Sequence, residues 1–118
     1  MDNLNPLELS LLQGLAKKYP TIGLHIPFLK VKSRVFTGVG MYVNFEYTEG
    51  TQTLPMLEIE NSTFGNNEII EIPGLEFGLG YEVDITDSKI NFIEFITYGE
   101  AWNGDTRVFK LVPNDFWD

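Results

Sequence analysis

The strongest constraint on this chain is an alternation near its middle. Leu75, Phe77, Leu79, Tyr81, Val83 and Ile85 are interleaved with Glu76, Gly78, Gly80, Glu82, Asp84 and Thr86. Period two sustained over that length implies a strand with one buried face. A polar Thr86-Asp87-Ser88-Lys89 turn follows, then a β-rich run from Ile90 to Tyr98. A two-residue hairpin loop at Asp87-Ser88 pairs Ile85 with Ile90, Val83 with Phe92, Tyr81 with Glu94, Leu79 with Ile96 and Phe77 with Tyr98. In this register Glu94 is the one carboxylate on an otherwise apolar face.

The N-terminus carries agreeing helix signals. Asn5 suits the N-cap, Pro6 the first helical position, and Glu8 stands three residues after the cap, as a capping box requires. Leu7, Leu11 and Leu15 form one stripe, widened by Leu12, Ala16 and Tyr19. Lys17 and Lys18 lie near the negative end of the helix dipole, and Pro20 is expected to stop the helix. The expected helix is Pro6 to Tyr19. Thr21 to Phe28 is ambiguous, an apolar segment punctuated by Gly23 and Pro27.

A long alternating stretch comes next. Val31, Val35, Val39, Met41, Val43, Phe45 and Tyr47 share one parity, so that Lys32, Arg34, Tyr42, Asn44 and Glu46 fall on the other face. Gly38 and Gly40 mark an expected bend. Short strands are expected at Leu54 to Glu60 and Ile69 to Ile72, with a loop from Asn61 to Asn67. Asn103-Gly104 is the strongest hairpin signal in the chain. Pairing through it sets Tyr98 against Phe109, Ile96 against Leu111 and Glu100 against Arg107, which preserves the apolar parity. The expected fold is α+β. An N-terminal helix packs on a five- to six-stranded, mainly antiparallel, curved sheet that ends in a C-terminal meander, with residues 1–118 forming one domain.

Charge narrows the function classes. Five basic residues face only Asp2 and Glu8 before Glu46, whereas fifteen acids face Lys89, Arg107 and Lys110 from Glu46 onward. The net charge of −9 is thus the sum of a net positive first part and a strongly acidic second part. Such a surface repels nucleic acid and attracts a basic protein partner. The basic strip Lys30, Lys32, Arg34 lacks the interleaved aromatics of a single-strand binder. No apolar run is long enough to span a bilayer and no leader follows Met1, so no membrane association and a cytoplasmic location are expected.

Chemistry-bearing constellations are sparse. There is no cysteine and one histidine, His25, so zinc sites of the usual kinds are nearly excluded and no cofactor is expected. No calcium loop and no nucleophile elbow is present. Gly38-Val39-Gly40 and Gly78-Leu79-Gly80 lack the third glycine of a phosphate loop. These four glycines could leave a shallow groove rimmed by Phe36, Tyr42 and Phe95, although a ring packed over a strand glycine fits as well. A buried Glu94 beside Tyr81 and Tyr98 would make a candidate pocket, because desolvation raises a carboxyl pKa towards the range of a general acid. A sheet bulge would instead turn Glu94 to water. Trp102, Phe116 and Trp117 stand in acidic loop or terminal settings and are candidate partner-binding groups.

The segments Phe36-Thr-Gly-Val-Gly-Met-Tyr-Val-Asn-Phe-Glu46, Ile72-Pro-Gly-Leu-Glu76 and Ile93-Glu-Phe-Ile-Thr-Tyr-Gly-Glu100 followed by Trp102 resemble a group of small uncharacterised bacterial proteins. Those proteins carry an F-T-G-V-G strand and a late E-x-x-T-Y-x-x-x-W stretch. The resemblance runs from Val31 to Trp102 and implies no activity and no functional residues. By analogy of type, small acidic α+β proteins occur as immunity proteins beside bacterial toxins. The leading expectation is a non-enzymatic protein that binds a basic protein. The alternative is a small-ligand-binding or enzymatic domain with a cleft around Glu94, and a homodimer through an exposed strand edge is a third.

Overall fold

The computed structural model describes residues 2–65 and 68–113. Helix α1 spans Pro6–Ala16 and begins as its composition dictates. The Asn5 side chain accepts from the Glu8 N–H at 2.9 Å, while the Asn5 N–H donates to Glu8 Oε1 at 2.8 Å. Leu7, Leu11 and Leu12 are buried in the core, each contributing on the order of 2 kcal/mol of transfer free energy. The helix ends before Tyr19, with Lys17 as C-cap. Pro20 does not merely stop it. It opens a second helix, α2 at Pro20–His25, in the first-turn position where proline needs no N–H partner. A 3₁₀ turn, Ile26–Phe28, leads into the sheet.

Among the described residues, seven strands form one antiparallel sheet: β1 Leu29–Phe36, β2 Gly40–Tyr47, β3 Ser62–Gly65, β4 Glu68–Glu71, β5 Leu79–Thr86, β6 Lys89–Thr97 and β7 Lys110–Pro113. Their order is β1-β2-β6-β5-β4-β7, with β3 also paired to β5. The α+β class and the helix packed on the sheet are as expected, while the strand count exceeds the expected five to six. The long stretch after Leu29 is a hairpin, not one bent strand. Its turn uses Gly38 at φ +91°, a left-handed conformation that glycine adopts without strain. Leu54 to Glu60 is not a strand, although Leu57 is buried in the core. β3 falls inside the stretch whose composition reads as loop.

The C-terminal meander does not form. β7 pairs with β4, Ile70 facing Leu111, and not with β6. The second edge of β6 is taken by β2, with Met41 opposite Phe95 and Val43 opposite Ile93. Because each strand has only two hydrogen-bonding edges, the Asn103-Gly104 signal cannot place a third strand there. Residues 98–109 instead run as a loop whose Trp102 is 7% exposed, its ring meeting those of Phe95 and Phe36 at 6.4 and 6.0 Å.

Two register shifts decide which side chains face the core. The Asp87-Ser88 loop forms as expected, with φ of 53° and 59°, and Ile85 faces Ile90. Beyond it, Asp84 faces Phe92 and Val83 faces Ile93, so Asn91 is one residue too many. This β-bulge reverses the parity of the rest of β6. A second shift lies between Val31 and Ser33 on β1. It turns Arg34 inward towards α1 and leaves Val35 outward, 50% exposed, opposite Tyr42. Deleting Asn91 is therefore expected to be tolerated, costing no more than about 1 kcal/mol, since it removes the extra residue and keeps every downstream pair. In a bulge-free register the same deletion would move Phe92 to Thr97 onto the wrong faces and unfold the protein. A denaturation midpoint close to that of the wild type supports the bulge.

Candidate functional site

The bulge at Asn91 separates the three residues of the candidate pocket. Tyr81 points to the core face, opposite Phe95, where it is buried and its hydroxyl donates to the Glu68 carboxylate. Burial first, and that carboxylate second, push the Tyr81 pKa well up. Glu94 points the other way, half-buried on the open face, opposite Glu82 on one side and Tyr42 on the other. Tyr98 lies past the end of β6 and is 47% exposed. The three side chains therefore do not converge on one cleft, as the ligand-pocket reading requires. Trp102 is likewise not a surface group, since it fills the core beside Phe95. Phe116 and Trp117 lie outside the described residues. The glycine groove also fails to form: Phe95 is in the core, and a Cβ on Gly40 would run into the Phe95 carbonyl oxygen.

What the strands do present is an open face of mixed aromatic and acidic character. Among the described residues, every buried strand side chain belongs to the face that meets α1, α2, Leu57 and Trp102. The opposite face carries two cross-strand rows. One runs Val35, Tyr42, Glu94, Glu82, and the next runs Ser33, Asn44, Phe92, Asp84. The Tyr42 and Phe92 rings meet edge-on at 5.4 Å with planes 69° apart. The Glu94 carboxylate lies opposite Tyr42 and holds that phenol's pKa up, favouring its neutral form. Asp84 is held by the Thr86 hydroxyl at 2.6 Å and by Asn91 Nδ2 at 3.1 Å, so the bulge residue also fixes an acidic group of this face.

The charges on this face are not neutralised from within. Among the described residues the ion pairs join Arg34 to Asp2 and Glu8, and Arg107 to Asp105. Arg107 holds the Asp105 carboxyl down at about 2, through side-chain and then backbone hydrogen bonds. Glu82, Asp84 and Glu94 take part in none of these pairs. Glu82 and Glu94 stand directly opposite each other, an arrangement that destabilises a sheet when both are charged.

His25 occupies a different place. Its Nε2–H donates to the Pro55 carbonyl at 2.6 Å, and its Nδ1 accepts from the Tyr47 hydroxyl at 2.7 Å. The Tyr47 oxygen in turn accepts the Ile90 N–H at 2.9 Å. The tautomer follows from the partners, because a carbonyl can only accept. With both ring nitrogens engaged, His25 ties α2, β2, β6 and the segment around Pro55 together, and has no lone pair to offer a substrate. A cavity of about 210 Å³ lies beside it, bordered by Leu54, Met56 and Lys89. An open cleft of about 440 Å³ near β4 and β7 is lined mainly by Ile69, Ile72, Phe77 and Val108. Nearby, the Glu100 carboxylate accepts the Glu76 and Phe77 N–H groups at 2.9 Å each, in place of the expected pairing with Arg107. No cluster of His, Asp and Glu able to hold a metal occurs among the described residues. No described helix is long and apolar enough to cross a membrane.

No family model, curated protein or solved structure matches the chain.

Proposed function

We propose that this chain is a non-enzymatic binding protein that holds a basic protein partner, in the manner of a toxin immunity protein acting in the cytoplasm. One observation carries the reading: Glu82, Asp84 and Glu94 stand un-neutralised around Tyr42 and Phe92 on the open face of the sheet. Carboxylates paired within the chain would only stabilise the fold. Carboxylates left without a cation, beside half-exposed rings, complement a positive surface and accelerate its approach. The rings add the rigid apolar contact that hot spots use.

The test is affinity capture from the source cell at about 50 mM salt, where the Debye length exceeds 10 Å. The matched bait is the Glu82→Gln/Asp84→Asn/Glu94→Gln variant. The expected result is a basic protein retained by the wild type, released by salt near 0.5 M and absent from the variant eluate. Equal recovery on both baits, or no retained basic protein, would overturn the proposal.

A further inference from the structure

Resting on that reading, we infer that the partner engages this face with arginine, seated against the Tyr42–Phe92 pair and bonded to Glu82 and Glu94, and not with lysine. Three observations converge. The two rings are half-buried and edge-on at 5.4 Å, so they form an L-shaped apolar wall beside the acids of the face. Beside that wall the Glu94 and Glu82 carboxylates face each other across β6 and β5. The third is the arrangement of the acids, which flank the wall on two sides: Glu94 two residues along the strand from Phe92, and Asp84 directly opposite Phe92.

A guanidinium fits this arrangement in a way an ammonium does not. Its flat face stacks on an aromatic ring, while its edge carries five N–H donors in a fixed fork that can reach two carboxylates at once. One such group between Glu82 and Glu94 also relieves their mutual repulsion. A lysine ammonium supplies the charge but is more strongly hydrated and has no plane to lay on a ring. Asp84 is already bonded to Thr86 and Asn91, which leaves Glu82 and Glu94 as the pair that takes the fork. Tyr42 contributes twice. Its ring is part of the wall, and it stands directly opposite Glu94 across β2 and β6, which sets the wall beside that carboxylate.

The experiment is a titration of the ¹⁵N-labelled full chain at about 50 mM salt with two probes. These are a Gly/Ser-spaced peptide carrying three arginines and its lysine counterpart of equal charge. The expected result is that the arginine peptide binds about fivefold more tightly, with shifts centred on residues 42, 82, 92 and 94. Tyr42→Leu and Phe92→Leu, surface changes that keep apolar bulk, are expected to erase the preference while leaving lysine-peptide affinity in place. Spectral dispersion of each variant checks its fold. Equal affinities for the two peptides at this face would overturn the arginine assignment and leave the broader binding reading standing. Shifts confined to other surfaces would also overturn it. The capture experiment above, which does not depend on the cation's identity, separately decides the broader reading.

Discussion

Truncating Phe95 to alanine is expected to lower the stability of the fold by about 3–5 kcal/mol, the usual cost of emptying a buried aromatic site. Phe95 is 1% exposed on β6, which lies between β2 and β5 in the sheet. In register it lies between Met41 and Tyr81, and its ring meets Trp102, which in turn meets Phe36. Removing the ring therefore leaves a cavity and takes away one wall of the Trp102 site, loosening the whole 98–109 loop. Since domains of this size are stable by only about 5–15 kcal/mol, the variant should sit near the edge of unfolding. Urea denaturation measures the loss, and a Trp117→Phe background makes Trp102 the single reporter, expected to emit further to the red. The bulge-free register would put Phe95 on the open face. A loss below about 1 kcal/mol with unchanged emission would favour that register.

The sequence carried the local features whose causes are local. The capping box at Asn5 and Glu8 needs only three residues of spacing, and it forms. The Asp87-Ser88 turn needs two residues tolerant of positive φ, and it forms with the expected Ile85–Ile90 pair. The β6 bulge was open only as the alternative that turns Glu94 to water, with no position assigned, and the β1 bulge escaped, because a bulge is a single extra residue with no composition of its own. On β6 the ambiguity was acute: Phe92 and Ile96 are apolar on one parity, Ile93 and Phe95 on the other. Either face could serve as core. The one available signal was Glu94, since only the bulged register keeps that carboxylate off the core face. Asn103-Gly104 misled for the opposite reason. Its turn chemistry is sound, and Gly104 does adopt φ +82°, but tertiary pairing had already filled the edge of β6. The acid-rich second half of the chain was plain in the sequence. Its concentration around Tyr42 and Phe92 depends on strands 82–84 and 92–94 being neighbours in a bulged register, which composition does not encode.

The second large effect is expected at the pair that anchors α1. Glu8 is 1% exposed and its carboxylate accepts from Arg34 Nη2 at 2.9 Å, from Arg34 Nε at 3.0 Å and from the Asn5 N–H at 2.8 Å. Arg34 reaches it only because the shift after Val31 turns that side chain towards the helix. Arg34→Ala leaves a buried carboxylate with no cation, and the expected loss is about 3 kcal/mol. Glu8→Ala removes one arm of the capping box, but the arginine it abandons keeps Asp2 at 3.8 Å and has a side chain 29% exposed to water. Its expected loss is smaller, about 1–2 kcal/mol. The order of the two is what the geometry dictates, because the buried member of a pair suffers more from losing its partner. Replacing both residues by leucine removes the stranded charge as well and is expected to recover much of the Arg34→Ala loss. A double-mutant cycle followed by urea denaturation separates these terms. Two single variants each within about 0.5 kcal/mol of wild type would show that the pair does not anchor the helix. A Glu8→Ala loss exceeding that of Arg34→Ala would show that the capping box, and not the stranded charge, dominates the site.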